Sequence, residues 1–355
     1  MTDKIFLIAL IIGFPVSVAG AIFGWPAILM FGIYCLTLIT LAYYMSKATE
    51  NLSIIGGERI GGLLNATFAN AVELLIAIFS LKAGFVTIVL ASMSGSVIGN
   101  LLLNSGLAFF IGGLKHKRLQ FNVYNARHNS VLLIFAVIVA FLFPKMFSFE
   151  ISDGSDVLSL SIWSSILLIV LYLAGLLFKL VTHRGVYRSD KEKEETKKEK
   201  EEPEWGLWRS LITLLVLTGA AAYLSENLVG TFETVSGKLG WSEIFIGIVI
   251  VAIISNAGEY VTAIIMAFKK RANVTTEIAV GATLQVAMFV APVLMLISLF
   301  FPKQMPLIFT APEMISMVLA VLLNVMIMND GDTNWFEGAI LMGAYAIMGF
   351  GFYLL

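Results

Sequence analysis

Two long apolar segments of the chain each carry an asparagine followed three residues later by a glutamate. The pairs are Asn70 with Glu73 and Asn256 with Glu259. Residues spaced i and i+3 share one face of a helix, so each amide is expected beside its carboxylate. A charged side chain at the centre of a bilayer costs at least ~2.5–3.5 kcal/mol, and an intramembrane carboxylate is therefore a functional-site hypothesis by default.

The two glutamates have no basic partner in their own segments, because no lysine or arginine occurs in residues 60–81 or 241–268. A buried polar contact that holds helices together is the alternative interpretation. It fits the two asparagines better than it fits the unpaired carboxylates. We therefore predict that both glutamates bind a cation or protons, with the asparagines beside them.

Further hydroxyl and amide side chains occur next to the second motif and in two neighbouring apolar segments. They could complete a coordination shell around the glutamates, or they could be ordinary helix packing. The series in residues 85–112 is Ser92, Ser96, Asn100 and Asn104, and the later segment offers Thr283 and Gln285. The predicted cation-binding set is Glu73, Glu259, Asn70, Asn256, Asn100, Gln285, Ser255 and Ser96.

This set of ligands contains two carboxylates and several neutral oxygens, without histidine or cysteine. Such a hard-oxygen site suits Ca²⁺ better than zinc or copper. A glutamate pair is neutralised equally well by one divalent cation or by two protons, whereas an empty ionised pair is costly in a low dielectric. The loaded forms are then expected to cross the membrane, which predicts exchange of Ca²⁺ for protons by a coupled carboxylate pair. Neither a cofactor nor an enzyme is predicted, since no Ser-His-Asp or HExxH arrangement is present.

The elements that must position these residues are membrane-spanning helices. The chain of 355 residues is 59% hydrophobic and 13% charged, with a mean hydropathy of +0.91, far more apolar than a soluble domain. An all-α polytopic membrane protein is predicted, with eleven segments long enough to cross about 30 Å of hydrocarbon. They are 4–22, 26–46, 59–82, 85–112, 129–148, 158–180, 207–229, 241–268, 276–301, 307–327 and 334–354.

Lysine and arginine are distributed unequally between the two predicted sides of the membrane. The side that holds the N-terminus carries 19 of the 23, and the opposite side has only Lys82, Lys145, Lys238 and Lys303. Cytoplasmic loops retain positive charge, so the N-terminus is predicted in the cytoplasm and the C-terminus outside. The cell membrane is the expected location, and an organellar membrane is left open.

The motifs belong to an internal repeat. An offset of 186 residues places Ala66 on Ala252, Asn70 on Asn256, Glu73 on Glu259, Ala77 on Ala263 and Gly95 on Gly281. The motif segments are five crossings apart, so the repeats are predicted to be inverted, as in many secondary transporters. The predicted divisions are an extra helix (1–25), a first five-helix repeat (26–182), a charged cytoplasmic linker (183–206) and a second repeat (207–355).

Two other acidic features are given structural interpretations. Residues 190–204 contain 8 acidic residues and 5 lysines, which is typical of a solvated linker, although a regulatory cation-binding segment is the alternative. Glu313 follows Pro312 at the start of the tenth span, where a carboxylate favours a helix N-terminus. Glu226 is interpreted similarly, with a role on the cation pathway as the alternative.

At these residues the chain resembles the calcium/proton exchanger family of the calcium/cation antiporter superfamily over essentially its whole length. The motifs that carry the resemblance are Gly61-Gly62 leading to Asn70-Ala-Val-Glu73, Gly95-Ser-Val-Ile-Gly-Asn100, Ser255-Asn-Ala-Gly-Glu259, Gly281-Ala-Thr-Leu-Gln285 and the acidic run. The resemblance implies one extra helix followed by two inverted five-helix repeats, with both motif helices interrupted near the site. It also implies that Glu73 and Glu259 bind Ca²⁺ and protons alternately, surrounded by Asn70, Asn256, Asn100 and Gln285.

The sequence departs from related patterns at two places. Sodium/calcium exchangers generally carry additional acidic or amide ligands in the helices equivalent to the fourth and ninth spans. Here Gly99 and Gln285 occupy the repeat-matched positions in those spans, which favours proton coupling. Between Asn70 and Glu73 the chain has Ala-Val, where the family often has a polar residue.

The predicted function is a transporter that exchanges cytosolic Ca²⁺ for external protons by alternating access. Sodium-coupled calcium exchange and a cation channel are the alternatives. Ca²⁺, protons and the lipid bilayer are the expected partners; no nucleic acid is expected, and a homo-oligomer is left open.

Overall fold

The computed structural model describes residues 2–68, 70–151, 153–182 and 203–355, most of which are helical. The predicted charged linker lies outside the described residues as far as residue 202. The helices are α1 (Thr2–Ile22), α2 (Ala27–Phe68), α3 (Ala71–Lys82), α4 (Val86–His116), α5 (Val123–Ser148), α6 (Gly154–Thr182), α7 (Leu207–Val229), α8 (Phe232–Leu239), α9 (Glu243–Phe268), α10 (Ala272–Ser298), α11 (Ala311–Met328) and α12 (Trp335–Leu354). Two short strands are β1 (Leu119–Gln120) and β2 (Asp332–Thr333).

Ten helices within these described ranges are long and apolar enough to cross a membrane. The chain is therefore a multi-pass membrane protein. The ten helices correspond to ten of the eleven predicted spans. Most ends differ by a few residues, but the second span, predicted to end at residue 46, continues to Gly57. The exception is the predicted third span, 59–82.

This third span is not one continuous helix. Its first part belongs to α2, which runs through the predicted connection between residues 46 and 59 and ends at Phe68; its last part is α3, which begins at Ala71. Gly57 interrupts the helical path of α2 with φ 71° and ψ 176°, a conformation that is essentially restricted to glycine. The predicted connection at 47–58 is therefore helical as far as Gly57, and the chain departs from the helical path at Gly57, within that connection.

Two connections far apart in sequence are joined by backbone hydrogen bonds. β1, after α4, pairs antiparallel with β2, before α12, with Leu119 opposite Thr333 and Gln120 opposite Asp332. Arg118 forms an ion pair with Asp332 beside this pairing. The predicted helical fold class is confirmed, and this short pairing, in which the two connections satisfy each other's backbone groups, is an addition that was not predicted.

Glycines allow the backbones of α4 and α12 to touch. A Cβ atom at Gly113 would overlap the backbone of Trp335, and one at Gly338 would overlap the backbone of Phe110. Small residues of this kind let membrane helices approach closely. The two helices are thus in backbone contact over the part of α4 that lies next to β1.

Glycines also set the crossing of α4 and α9. A Cβ atom at Gly95 would overlap the backbone of Ile248, and one at Gly247 would lie 2.6 Å from the carbonyl oxygen of Ile88. On its other side α9 approaches α2, where a Cβ atom at Gly258 would lie 2.7 Å from the Ala42 oxygen. These approaches bring the second motif between α2 and α4.

The buried apolar side chains form two clusters, one centred on α2 and α7 and the other on α4, α5 and α10–α12. α3, α4 and α9 contribute to both clusters. Ile76 of α3 belongs to the first and Ala77 to the second, and Ile246 and Ile248 of α9 divide in the same way. The helices with the predicted site residues therefore lie where the two clusters meet.

Gly95→Ala should destabilise the protein, because its methyl group would collide with the backbone of Ile248. Overpacking of this kind typically costs about 1–3 kcal/mol. Gly281→Ala is the matched control. Position 281 corresponds to position 95 in the repeat, and a Cβ atom added at Gly281 would have no atom within 4 Å. Thermal unfolding in detergent should show a lower midpoint for Gly95→Ala and no loss for Gly281→Ala. Equal midpoints would contradict the close approach of α4 and α9.

Candidate functional site

The hydroxyl of Ser96 lies at the centre of a buried hydrogen-bond chain that joins three helices. It donates to Glu73 Oε1 on α3 at 2.5 Å and accepts from Asn256 Nδ2 on α9 at 2.9 Å. One turn further along α4, Asn100 Nδ2 donates to Asn256 Oδ1 at 3.3 Å. The Ser96 hydroxyl of α4 thus bridges the carboxylate of the first motif and the amide of the second motif.

Glu73 occupies the first turn of α3, immediately after the break between Phe68 and Ala71. The first backbone N–H groups of a helix have no intrahelical acceptor, and the positive end of the helix dipole favours an anion there. The Glu73 side chain is only 1% exposed. The helix break therefore gives a buried carboxylate a favourable electrostatic environment without a lysine or arginine.

Glu259 has a different setting, because it lies within a continuous helical run from Ala252 to Phe268. The interruption that the resemblance implies for this second motif is wrong; a π-helical turn at Ile246–Val251 precedes the motif instead. The side chain of Glu259 is half-buried, and it lies one helical turn after Asn256, whose amide is joined through Ser96 to Glu73. The two glutamates are thus neighbours in one site but are held in different ways.

The two asparagines also differ. Asn256 Nδ2 donates within α9 to the Ala252 carbonyl oxygen at 2.9 Å and to Ser255 Oγ at 3.2 Å, in addition to Ser96. Asn70 precedes α3 at its N-cap position, and its side chain makes no capping hydrogen bond. The amide of Asn256 is therefore fixed in orientation, whereas that of Asn70 stays available for a ligand.

Several polar atoms of the site are buried without a hydrogen-bond partner in the described part of the chain. They are Asn70 Nδ2, Glu73 Oε2, Asn100 Oδ1, both side-chain heteroatoms of Asn104, and Glu259 Oε2. A buried polar group without a partner costs free energy comparable to a lost hydrogen bond. The unpaired oxygens of Glu73, Glu259 and Asn100 can accept a cation, a proton or a water hydrogen, whereas the unpaired amide nitrogens can only donate.

The remaining sequence-predicted residues are placed as follows. Gln285 is buried on α10, next to a π-helical turn at Val286–Val290. Ser92 and Thr283 are also buried, but their hydroxyls donate to carbonyl oxygens of their own helices, Val89 at 2.8 Å and Ala279 at 2.9 Å. These two hydroxyls therefore act as the packing alternative expects.

Glu313 has the structural role predicted for it. Thr310 and Glu313 form a capping box at the start of α11, and Glu313 Oε1 also accepts from Ser94 on α4 at 2.9 Å. Sequence reasoning did not predict the contact with Ser94, since the residues are 219 positions apart. It also did not single out Tyr260, whose buried hydroxyl has no partner in the described residues.

The described residues include no group of three or more His, Cys, Asp and Glu side chains able to hold a metal ion. The ion pairs seen among them are Lys47 with Glu204, Lys82 with Glu226 and Arg118 with Asp332. A divalent cation at this site would thus be bound by two carboxylates and by neutral oxygens, which is a donor set that suits Ca²⁺ as a transported ion.

Comparison with known proteins places the chain in a family. Residues 26–181 and 209–354 match the model of the sodium/calcium exchanger protein family. The chain is 58% identical over 353 residues to the Ca²⁺/H⁺ antiporter ChaA of Bacillus subtilis, covering 99% of this chain and 100% of that protein. It is 36% identical to a Ca²⁺/H⁺ antiporter of Synechocystis, covering 99% and 97% of the two chains. The solved structure of native YfkE superposes with a TM-score of 0.87 at 53% identity, covering 99% of this chain and 100% of that one.

The two curated relatives are antiporters, which are transporters and not enzymes. This agrees with the prediction made from the absence of catalytic motifs. Because the family model covers both halves of the chain and the relatives cover almost all of it, the chain belongs to the calcium/proton exchanger family of the calcium/cation antiporter superfamily.

Proposed function

We propose that this protein exchanges cytosolic Ca²⁺ for external protons across the cell membrane, with Glu73 and Glu259 as the shared carriers. The observation that carries the proposal is the hydrogen-bond chain that joins Glu73 through Ser96 to Asn256, one helical turn before Glu259, with no basic partner of either glutamate among the described residues. The 58% identity to a Ca²⁺/H⁺ antiporter supports the choice of ions.

Charge balance gives the mechanism. One Ca²⁺ or two protons neutralise the pair, whereas the empty, doubly ionised site would carry two negative charges in a low dielectric. Loaded forms therefore pass between the inward-open and outward-open conformations, and the empty form does not. This restriction makes the movement of one ion depend on the movement of the other.

The cation would be held by oxygens from α3, α4, α9 and α10. The carboxylates of Glu73 and Glu259 provide the charge, Asn100 has a side-chain oxygen that is unpaired in the described residues, and Asn70 would contribute its amide oxygen from the start of α3. Ser96, Asn256 and Ser255 position these ligands through their hydrogen bonds, and Gln285 contributes from α10.

Eleven crossings are proposed, with the end of α2 and α3 together forming the third. Contacts between connections support this topology because they fall into two groups that match the predicted sides. On the predicted outer side they are Lys82 with Glu226 and Lys303 with the Gly84 oxygen; on the predicted inner side they are Lys47 with Glu204 and Arg118 with Asp332. The ion pair of Lys47 with Glu204 supports the third crossing: if residues 59–82 did not cross, Glu204 would lie on the opposite side of the membrane from Lys47.

The inverted-repeat layout is proposed from the same offset of 186 residues. The π-helical turn at Gly99–Asn104 corresponds under this offset to 285–290, and a π-helical turn occupies Val286–Val290. π-helical turns are frequent at functional sites. Matched turns beside the site in both halves support a cation site between two repeats, as in other secondary transporters.

A sodium-coupled exchange is the second candidate, because the family model that matches the chain is named for sodium/calcium exchangers. Proteoliposomes that contain the purified protein distinguish the two candidates. Uptake of ⁴⁵Ca²⁺ should require an imposed pH gradient and should not respond to a sodium gradient alone. Uptake driven by sodium without a pH gradient would replace the proton with sodium as the counter-ion, and uptake with neither gradient would indicate a channel.

Glu73→Gln and Glu259→Gln should each abolish proton-driven ⁴⁵Ca²⁺ uptake while leaving the protein folded. Each change keeps the size of the side chain but removes the charge that Ca²⁺ or a proton neutralises. Glu233→Gln, at an exposed position in the first turn of α8, is the matched control and should transport at the wild-type rate. Near-normal uptake by both site variants would disprove the carrier assignment.

Ser96→Ala should weaken Ca²⁺ transport because it removes the bridge between Glu73 and Asn256. A hydrogen bond to a charged group contributes about 1.5–3 kcal/mol, so the half-saturating Ca²⁺ concentration should rise at least about tenfold. Ser92→Ala, one turn away on α4, removes a hydroxyl that donates to its own helix and should change this concentration little. Equal effects of the two variants would show that the bridge has no special role.

A further inference from the structure

Tyr260 directly follows the second-motif glutamate on α9, and its side chain is only 5% exposed. Its hydroxyl is buried without a hydrogen-bond partner in the described residues. A buried tyrosine hydroxyl usually finds a partner. An unpaired one on the helix of the second motif therefore indicates a group that binds there.

The hydroxyl points at Gly99 of α4. A Cβ atom added to Gly99 would overlap the Tyr260 oxygen, while the ring carbon Cζ would remain 3.7 Å away. The tyrosine oxygen thus occupies the space that a side chain at position 99 would need. The hydroxyl therefore lies between α4 and α9, against the residue that precedes Asn100 in the sequence.

Position 99 is the repeat partner of Gln285, because the offset of 186 residues relates them. One half of the molecule therefore provides a buried amide at this position, and the other provides no side chain at all. The Tyr260 hydroxyl lies where the missing side chain would begin. Tyr260 lies one helical turn after Asn256, whose amide belongs to the hydrogen-bond chain that includes Ser96 and Glu73.

We propose that the Tyr260 hydroxyl is a further oxygen of the Ca²⁺ site and takes the place of the side chain that Gly99 lacks. A phenolic hydroxyl is a neutral donor and acceptor, so it can provide an oxygen to a divalent cation without adding charge to the carboxylate pair. The proposal rests on the proposed function, since it assigns a ligand to the same site.

Tyr260→Phe tests the proposal because it removes the oxygen and keeps the ring. The half-saturating Ca²⁺ concentration for transport should rise about tenfold, because losing one contact to a charged ligand costs about as much as losing one hydrogen bond to a charged group. The maximal rate should change much less, and Ca²⁺ binding to the purified protein in detergent should weaken by the same factor. Tyr34→Phe, which removes the hydroxyl of a buried tyrosine on α2, is the control and should leave both values unchanged.

A double-variant cycle separates a ligand from a packing role. Gly99→Ala should weaken Ca²⁺ binding because its methyl group displaces the Tyr260 hydroxyl. In a Tyr260→Phe background the same change should add little, since the nearest remaining atom is the ring carbon at 3.7 Å. Gly99→Ser combined with Tyr260→Phe should recover part of the affinity, because it returns one oxygen to nearly the same place.

Wild-type affinity in Tyr260→Phe, or strictly additive losses in the cycle, would overturn the proposal. A wild-type protein that fails to take up Ca²⁺ under a pH gradient would count against the proposed function instead. The binding measurement needs no gradient, so it still tests the Tyr260 assignment in that case.

Discussion

The structure depends on one electrostatic constraint, which is that two carboxylates must be kept in a site that the chain does not neutralise by itself. Glu73 is tolerated because it starts a helix and accepts from Ser96, while Glu259 has a carboxylate oxygen without a partner in the described residues. A lysine paired with either glutamate would neutralise it permanently and remove the need for an exchangeable cation. In the proposed mechanism the pair is neutralised only when an ion is bound, and exchange depends on this property.

The packing follows from this constraint. Ser96 can bridge Glu73 and Asn256 only if α3, α4 and α9 come within side-chain reach of one another. Gly95 and Gly247 permit the approach of α4 and α9, and Gly258 permits the approach of α9 and α2. Since these helices contribute to both apolar clusters, the site is formed where the two clusters meet and not within either one.

The sequence predicted the helical membrane architecture and the residues of the hydrogen-bond chain, because charged and amide side chains in long apolar segments are conspicuous. The break before α3 was implied by the resemblance and not by the hydrophobic pattern, and the continuity of α9 through its motif was not predicted. Both depend on local backbone hydrogen bonding inside long apolar segments, which the hydrophobic pattern does not report. Tyr260 was also missed, since an aromatic residue in an apolar helix looks like packing until Gly99 is found opposite its hydroxyl.

The contact between α4 and α12 bears on how the molecule distributes mechanical stiffness. Their backbones touch at Gly113 and Gly338, and the adjoining connections are joined by paired strands and by the Arg118–Asp332 ion pair. Sliding one helix past the other would first require the backbones to separate. Bending is therefore expected in other parts of the molecule. Helical hydrogen bonding is interrupted at Gly57 and again before α3, so this segment of the described chain can bend without separating packed backbones.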